Sequence, residues 1–242
     1  MANKPAAKAI GRSTAAGRTR GAAGPNPLLA AWIGPYEVPP FGLIEVEHFR
    51  PAFDAALAAH NAEIAAIAGA RQKPSFANTI EALERAGKLV KRVGAVFWSR
   101  ASAHTNDAIQ AIEREMAPRL AAHSSAITSN AALFARIDDL HTRRDALKLT
   151  AEQRRLLQRT HRAFVRAGAK LDEKGKARMG AIKQRLAALG TSFGQNVLAD
   201  EKSYELPLPA KADRAGLPEF LVAAAASAAR ERGSKASHVV TL

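Results

Sequence analysis

From Ser75 to Phe97 the chain reads S-F-A-N-T-I-E-A-L-E-R-A-G-K-L-V-K-R-V-G-A-V-F. Its apolar residues Ile80, Leu83, Leu89, Val90, Val93 and Phe97 fall on three- and four-residue steps, with Gly87 the weak turn among them. Such spacing gathers side chains on one face of an α-helix and on neither face of a strand. Asn78, with Glu81 three residues later, is a capping pair that starts this helix. The pattern carries it to about Ala103.

The same period recurs along the chain, so helix faces must be buried against one another. A first helix is expected over 47–68, with Phe49, Phe53, Leu57, Ile64 and Ile67 inward and Pro51 tolerated in the first turn. A third runs from about Asn106 to Asn130 around Ile109, Ile112, Met116, Leu120 and Ile127, with Pro118 expected to kink it. A short fourth holds Leu133, Phe134, Ile137 and Leu140. Thr150 and Gln153 form a capping box for a fifth helix ending near Gly168. The sixth, over 172–198, carries Met179, Ile182, Leu186, Leu189, Phe193 and Val197 in a narrow coiled-coil-like seam. The fifth and sixth read together as an α-hairpin.

Beyond Asp200 the texture changes. Tyr204 to Leu208 reads as an edge strand, Leu217-Pro218-Glu219 opens an Ala-rich seventh helix stopped by Gly233, and His238 to Leu242 reads as a second strand. The fold class expected is therefore mainly α: an antiparallel bundle of six or seven helices, with a short two-stranded β element near the C-terminus. Ahead of it, Asn26 to Pro40 is too rich in Pro and Gly for a helix. Leu28, Leu29, Trp32 and Tyr36 make it an extended arm laid on the body.

Charge narrows the partners. The formal net charge is +14, of which residues 1–26 supply +5 through Lys4, Lys8, Arg12, Arg18 and Arg20 without an acid. That acid-free segment reads as a disordered basic tail. On the fifth helix Arg155, Arg159, Arg162, Arg166 and Lys170 share one face. A solvated face opposite Leu156, Leu157, Phe164 and Val165 accounts for them. A phosphate-tracking stripe is the sharper alternative, but no aromatic residues interleave it as a single-strand platform requires. No run of about 18 apolar residues exists to span a membrane, and no apolar signal region opens the chain. Cysteine is absent, so disulfides and thiolate metal sites are excluded, which fits a reducing, cytoplasmic setting.

The wording of several segments is similar to one enzyme family. Phe76, Asn78, Thr79, Ile80, Leu83, Glu84, Gly87, Leu89, Arg92, Val93 and Phe97, the N-P-L-L and P-P-F of the arm, H-F-R-P-A-F at His48 to Phe53 and the G-L-P before the seventh helix resemble the thimet-oligopeptidase-like zinc metallopeptidases. The bacterial peptidyl-dipeptidase and oligopeptidase A branch is the nearest likeness. It spans about 27–242, moderately specific because dispersed motifs keep their order. It implies the N-terminal helical region, one wall of a deep channel admitting short peptides, truncated before the zinc-binding domain.

The chemistry of that family is not written in this chain. The resemblance implies a helix carrying H-E-x-x-H, two His binding zinc and the Glu activating its water. The seven His here, at 48, 60, 104, 123, 141, 161 and 238, are none of them followed by Glu, and no two lie four apart. No catalytic, cofactor-binding or metal-binding residue is therefore expected, and zinc belongs to the full-length enzyme that the resemblance implies. Glu45 and His48 form a single E-x-x-H, better read as a helix terminus than as half a di-iron site. His60 and Glu63 begin an inverted zinc motif that Ile64 breaks, and Asp138, Asp139 and His141 close a solvated helix end. Ser99, Ser102, Ser124 and Ser125 have no visible base, and G-x-S-x-G and phosphate-cradling glycine loops are absent.

The reading is the N-terminal portion of an oligopeptide-cleaving zinc metallopeptidase, inactive alone, with short peptides as the whole enzyme's substrates. Two alternatives stand beside it: a basic, non-enzymatic helical binding module for nucleic acid or a partner protein, and one half of a split peptidase completed by a separate C-terminal catalytic chain.

Overall fold

A computed structural model describes residues 24–242; the basic segment before them lies outside the described residues. Asn26, counted with that tail in the sequence, belongs to the body. Its side-chain amide donates to the His48 carbonyl at 2.8 Å and its Oδ1 accepts from the Leu28 N–H at 3.0 Å.

Among the described residues seven helices have twelve residues or more: α1 (Phe49–Ala68), α3 (Lys88–Ala103), α4 (Asp107–Thr128), α5 (Ala131–Thr142), α6 (Ala151–Arg166), α7 (Glu173–Ser203) and α8 (Glu219–Arg232). A one-turn α2 (Ala82–Arg85) follows a π-helical turn over Phe76–Glu81. Strands β1 (Leu206–Pro207) and β2 (Val239–Val240) pair antiparallel, Leu206 opposite Val240. The mainly α bundle with its small β element is thus present.

Caps fix most of the helix starts. Asn106, Asn130, Thr150 and Asp172 each accept, through the side chain, the N–H three residues on, which satisfies one of the orphan donors of a first turn. Thr150 and Gln153 form the reciprocal box foreseen in the sequence. Two expectations change at 75–103. The cap is Ser75, not Asn78: Ser75 Oγ accepts the Asn78 N–H at 3.1 Å, and Asn78 Oδ1 accepts the Ser75 N–H at 2.9 Å. The helix is also not continuous. Ala86 turns extended and Gly87 takes φ +71°, so the chain bends and restarts as α3. Glycine enters that left-handed region without the Cβ clash other residues meet.

Two apolar clusters share α1 as their spine. Its first half, with Phe49, Ala52, Phe53 and Ala56, packs on Val93, Val96 and Phe97 of α3 and Ile109, Ile112 and Met116 of α4. Its second half, with Ile64 and Ile67, meets Ile80, then Leu133, Ile137 and Leu140 of α5, and Leu157 and Phe164 of α6. Phe97 stands edge-on to Phe49 and Phe53 at 5.1 and 5.4 Å between centroids, the geometry that ring quadrupoles favour. The arm is pinned here through fully buried Leu28 and through Ile44. Arg92 donates to the Leu28 carbonyl at 2.7 Å, and Arg100 to that of Ile44 at 2.7 Å. Tyr36, expected to pack, points into solvent and is 98% exposed.

The expected α6–α7 hairpin is replaced by other pairings: α6 packs on α5, and α7 lies along α4. The reason is visible in α7's residues. Gln195 donates to the Gln110 carbonyl at 3.1 Å and to Glu113 at 2.7 Å, and Gly180 lies over Ser125. The small and polar side of α7 therefore meets α4, and its apolar seam faces outward.

Candidate functional site

Three places concentrate chemistry-bearing side chains. The first is the junction of α1, α3 and α4. His60 Nδ1 and His123 Nε2 lie 2.9 Å apart, one ring donating and the other accepting. Glu63, one turn along α1, accepts the Gly87 N–H at 2.7 Å. A Cβ at Gly87 would sit 2.7 Å from the His60 ring, so glycine is required there by both φ and space. Burial holds the His60 and His123 imidazoles below their ordinary value; Glu63 opposes this at His60, and His60 reinforces it at His123. Burial favours the neutral rings, which act as a hydrogen-bonded tie between helices. The inverted zinc motif read at His60 and Glu63 gains His123 as a neighbour, but Glu63 is turned to the Gly87 backbone.

The second place joins α5 and α6. His141 and His161 stack with centroids 3.8 Å apart and planes 3° from parallel. His161 Nε2 bonds Asp138 Oδ1 at 2.8 Å, and Lys170 reaches the same oxygen at 3.7 Å. The His161 bond and, next among the favourable charges, Lys170 hold the Asp138 carboxyl below its usual range, while burial, followed by the charge of His161, lowers His141. A hollow of about 380 Å³ is lined by these rings with Arg144, Gln158, Arg162 and Val165. Asp139, grouped with Asp138 and His141 in the sequence, turns instead to Arg143 at 2.8 Å.

The third is the cationic face of α6. Arg155, Arg159, Arg162 and Arg166 are exposed while Leu157 and Phe164 are buried behind them. That is the solvated-face arrangement. Glu45 and His48 are accounted for by the backbone: His48 Nδ1 accepts the Glu45 N–H at 2.9 Å at the entry to α1.

Among the described residues no three His, Asp or Glu side chains converge to hold a metal ion. His60 and His123 bond each other, Glu63 bonds backbone, and Asp138 is engaged by His161 and Lys170. They do not fit the zinc site of H-E-x-x-H enzymes, which needs two His and a carboxylate aimed at one point.

Nothing in the local sequence pattern points to Arg136. It is buried on α5 and donates to the carbonyls of Ala70 at 2.9 Å and Gln72 at 3.1 Å and to Asn78 Oδ1 at 2.9 Å. It clamps the turn between α1 and the π-helical segment. Its partners lie 58 to 66 residues away, so no local pattern could reveal it.

No family model matches the chain. Curated relatives do. The dipeptidyl carboxypeptidase of Escherichia coli K12 is 43% identical over 208 residues, 86% of this chain and 30% of that protein. Over 86% of its length this chain is homologous to proteins named dipeptidyl carboxypeptidase and oligopeptidase A. Oligopeptidase A of Salmonella typhimurium is 26% identical over 217 residues, 90% of this chain and 31% of its own length. The organellar oligopeptidase A of Arabidopsis thaliana is 26% identical over 213 residues, 86% of this chain and 26% of that protein. The chain thus spans about 30% of the length of the peptidases it matches. Among the described residues no helix is long and apolar enough to cross a membrane.

Proposed function

We propose that this chain is the N-terminal helical region of an oligopeptide-cleaving zinc metallopeptidase and forms one wall of its substrate channel. The observation that carries this is 43% identity over 208 residues to a dipeptidyl carboxypeptidase, confined to 30% of that protein. A helical body with two closed apolar clusters supplies the rigidity a wall requires. Zinc, its two His ligands and the general-base Glu belong in this reading to the remaining length of the enzyme, and short peptides are its substrates. Cytoplasmic residence is part of the same proposal.

The chain by itself is expected neither to cleave peptides nor to hold zinc. The test is to purify the 242-residue chain, measure bound zinc by elemental analysis, and assay short fluorogenic peptides with and without chelator. The chain is then mixed with the complementary portion of the Escherichia coli relative, which in this reading carries the zinc site. Silence alone and peptide cleavage after mixing support the wall role and the split arrangement together. Stoichiometric zinc with chelator-sensitive cleavage by the chain alone overturns the reading.

A further inference from the structure

The hollow of about 380 Å³ at the α5–α6 junction is lined by His141, Arg144, Gln158, His161, Arg162 and Val165. All six lie on α5, on α6 or in the connection between them, so its walls are complete within this chain. Gln158, His161, Arg162 and Val165 share one face of α6 by their spacing, and α5 brings the His141 ring in its last turn. No acid lines the hollow. The acids around it are engaged elsewhere: Asp138 by His161 and Lys170, Asp139 by Arg143, and Asp145 by Arg154 and, at 3.8 Å, Arg144. Among the described residues the Arg162 guanidinium, the Gln158 amide and the His141 ring nitrogens make no hydrogen bond or ion pair within the protein. Between Asp138 and Lys170 nine Lys and Arg stand against four acids, so the surrounding field is positive as well.

Open donors in a positive field call for an anion. A planar carboxylate is satisfied by one guanidinium fork, whereas a tetrahedral dianion can accept from two guanidiniums, an amide and an imidazole N–H together. The volume is that of a small-molecule pocket and leaves room for more than the ion itself. We propose that the hollow binds the phosphate group of a small phosphomonoester, with Arg144, Gln158, Arg162 and His141 as its donors. The C-terminal turn of α5 alone would disfavour an anion there; Arg144 offsets this by donating to the His141 carbonyl at 2.8 Å. His161, bonded to Asp138 at 2.8 Å and stacked on His141 with centroids 3.8 Å apart, orients the His141 ring. In the free protein, burial, then the charges of His161 and Arg144 and, after the opposing Asp138, that of Lys170 disfavour a proton on His141. A bound dianion reverses that balance and draws a proton onto the ring. This site is independent of the channel-wall reading.

The test follows the histidine ring signals of the full chain by NMR at constant ionic strength, each signal assigned by single substitution. Glycerol phosphate is expected to bind saturably, at least as tightly as inorganic phosphate, and to move the His141 and His161 signals while those of His60 and His123 stay in place. Arg162→Gln is expected to weaken binding about tenfold, the loss of one charge-assisted contact, with an unchanged helical circular dichroism spectrum because Arg162 is exposed. Arg159→Gln removes the same charge from the same helix outside the hollow and is expected to leave the affinity within about twofold. Acetate is expected to bind about tenfold more weakly than phosphate. Sulfate stays a dianion across neutral pH, so its pH dependence belongs to the protein: its affinity is expected to fall as the pH rises from about 6 to about 8, and His141→Gln should remove that dependence. A response that does not saturate, or equal losses in Arg162→Gln and Arg159→Gln, would mean that anions are held only by the general field of α6 and overturns the proposal. Binding of inorganic phosphate without glycerol phosphate, or a His141 titration that sulfate does not raise, overturns it equally.

Discussion

Helices α1 and α7 carry the same signal in the sequence and meet opposite fates in the fold. Both present apolar residues at three- and four-residue steps. In α1 six residues are buried, Phe49, Ala52, Phe53, Ala56, Ile64 and Ile67, because α3 and α4 close over one half and α5 and α6 over the other. In α7 none is buried, because the neighbour it found, α4, is engaged by Gln195 and small residues on the other side. Periodicity states which face a helix would bury. Whether a neighbour is there to cover it is decided by the whole chain, and here four elements converge on α1.

Aromatic truncations on the two sides should break this comparison first if it is wrong. Phe97→Ala, which empties the α1–α3 contact at a fully buried ring, is expected to cost about 3–5 kcal/mol in urea unfolding. Phe193→Ala on α7, at 71% exposure, is expected to stay within about 0.5 kcal/mol. Equal losses would mean that α7 is as closely held as α1.

Next in size is Arg136, which ties the end of α1 to the segment after it. Arg136→Met is expected to cost about 2–4 kcal/mol, since two carbonyls and Asn78 Oδ1 lose a charged donor. Hydrogen exchange should locate the loss at 69–80 and leave α7 unchanged. Gly87→Ala is smaller, about 1–3 kcal/mol, from a left-handed backbone and a Cβ driven into His60. Moving His60 aside should relieve part of that cost, so His60→Ala combined with Gly87→Ala is expected to be less than additive.

The smallest effect is a pH dependence. His60 and His123 have folded values lowered by burial. The unfolded chain therefore binds protons more readily below about 6.5, the ordinary imidazole value. Stability from this pair is full above that pH and is lost as the pH falls below it. His60→Gln with His123→Gln should flatten that limb in thermal melts. Melts of the single His141→Gln variant should report the contribution of that ring, in the same direction.

Much of the candidate chemistry was legible only as separate residues. Asp138, His141 and the cations of α6 could be named from spacing within one helix. The stack of His141 on His161 and the bond of His60 to His123 could not, because their partners come from other helices, the latter 63 residues away. Ser75 displaced Asn78 as the cap because its hydroxyl accepts the Asn78 N–H while Asn78 Oδ1 accepts the Ser75 N–H. The sequence pattern fitted either start. Gly87 was visible as a weak turn, but its full break depends on Glu63 and His60 of α1, which fix its N–H and crowd its Cα.

By itself the sequence determined the helical class, the cap at Thr150 and the helix starts near Asn106 and Asp172, the inward faces of α1, α4 and α5, and the absence of an H-E-x-x-H zinc motif. Those are local facts: a side chain reaching three residues along, a period of 3.6, a motif present or missing. Tertiary structure alone decided that α7 would lie on α4 with its apolar seam outward, that Arg136 would be buried as a clamp, and that four histidines would meet in two pairs. Each of these depends on which surfaces of distant segments compete for the same space, and no window along the chain contains that competition.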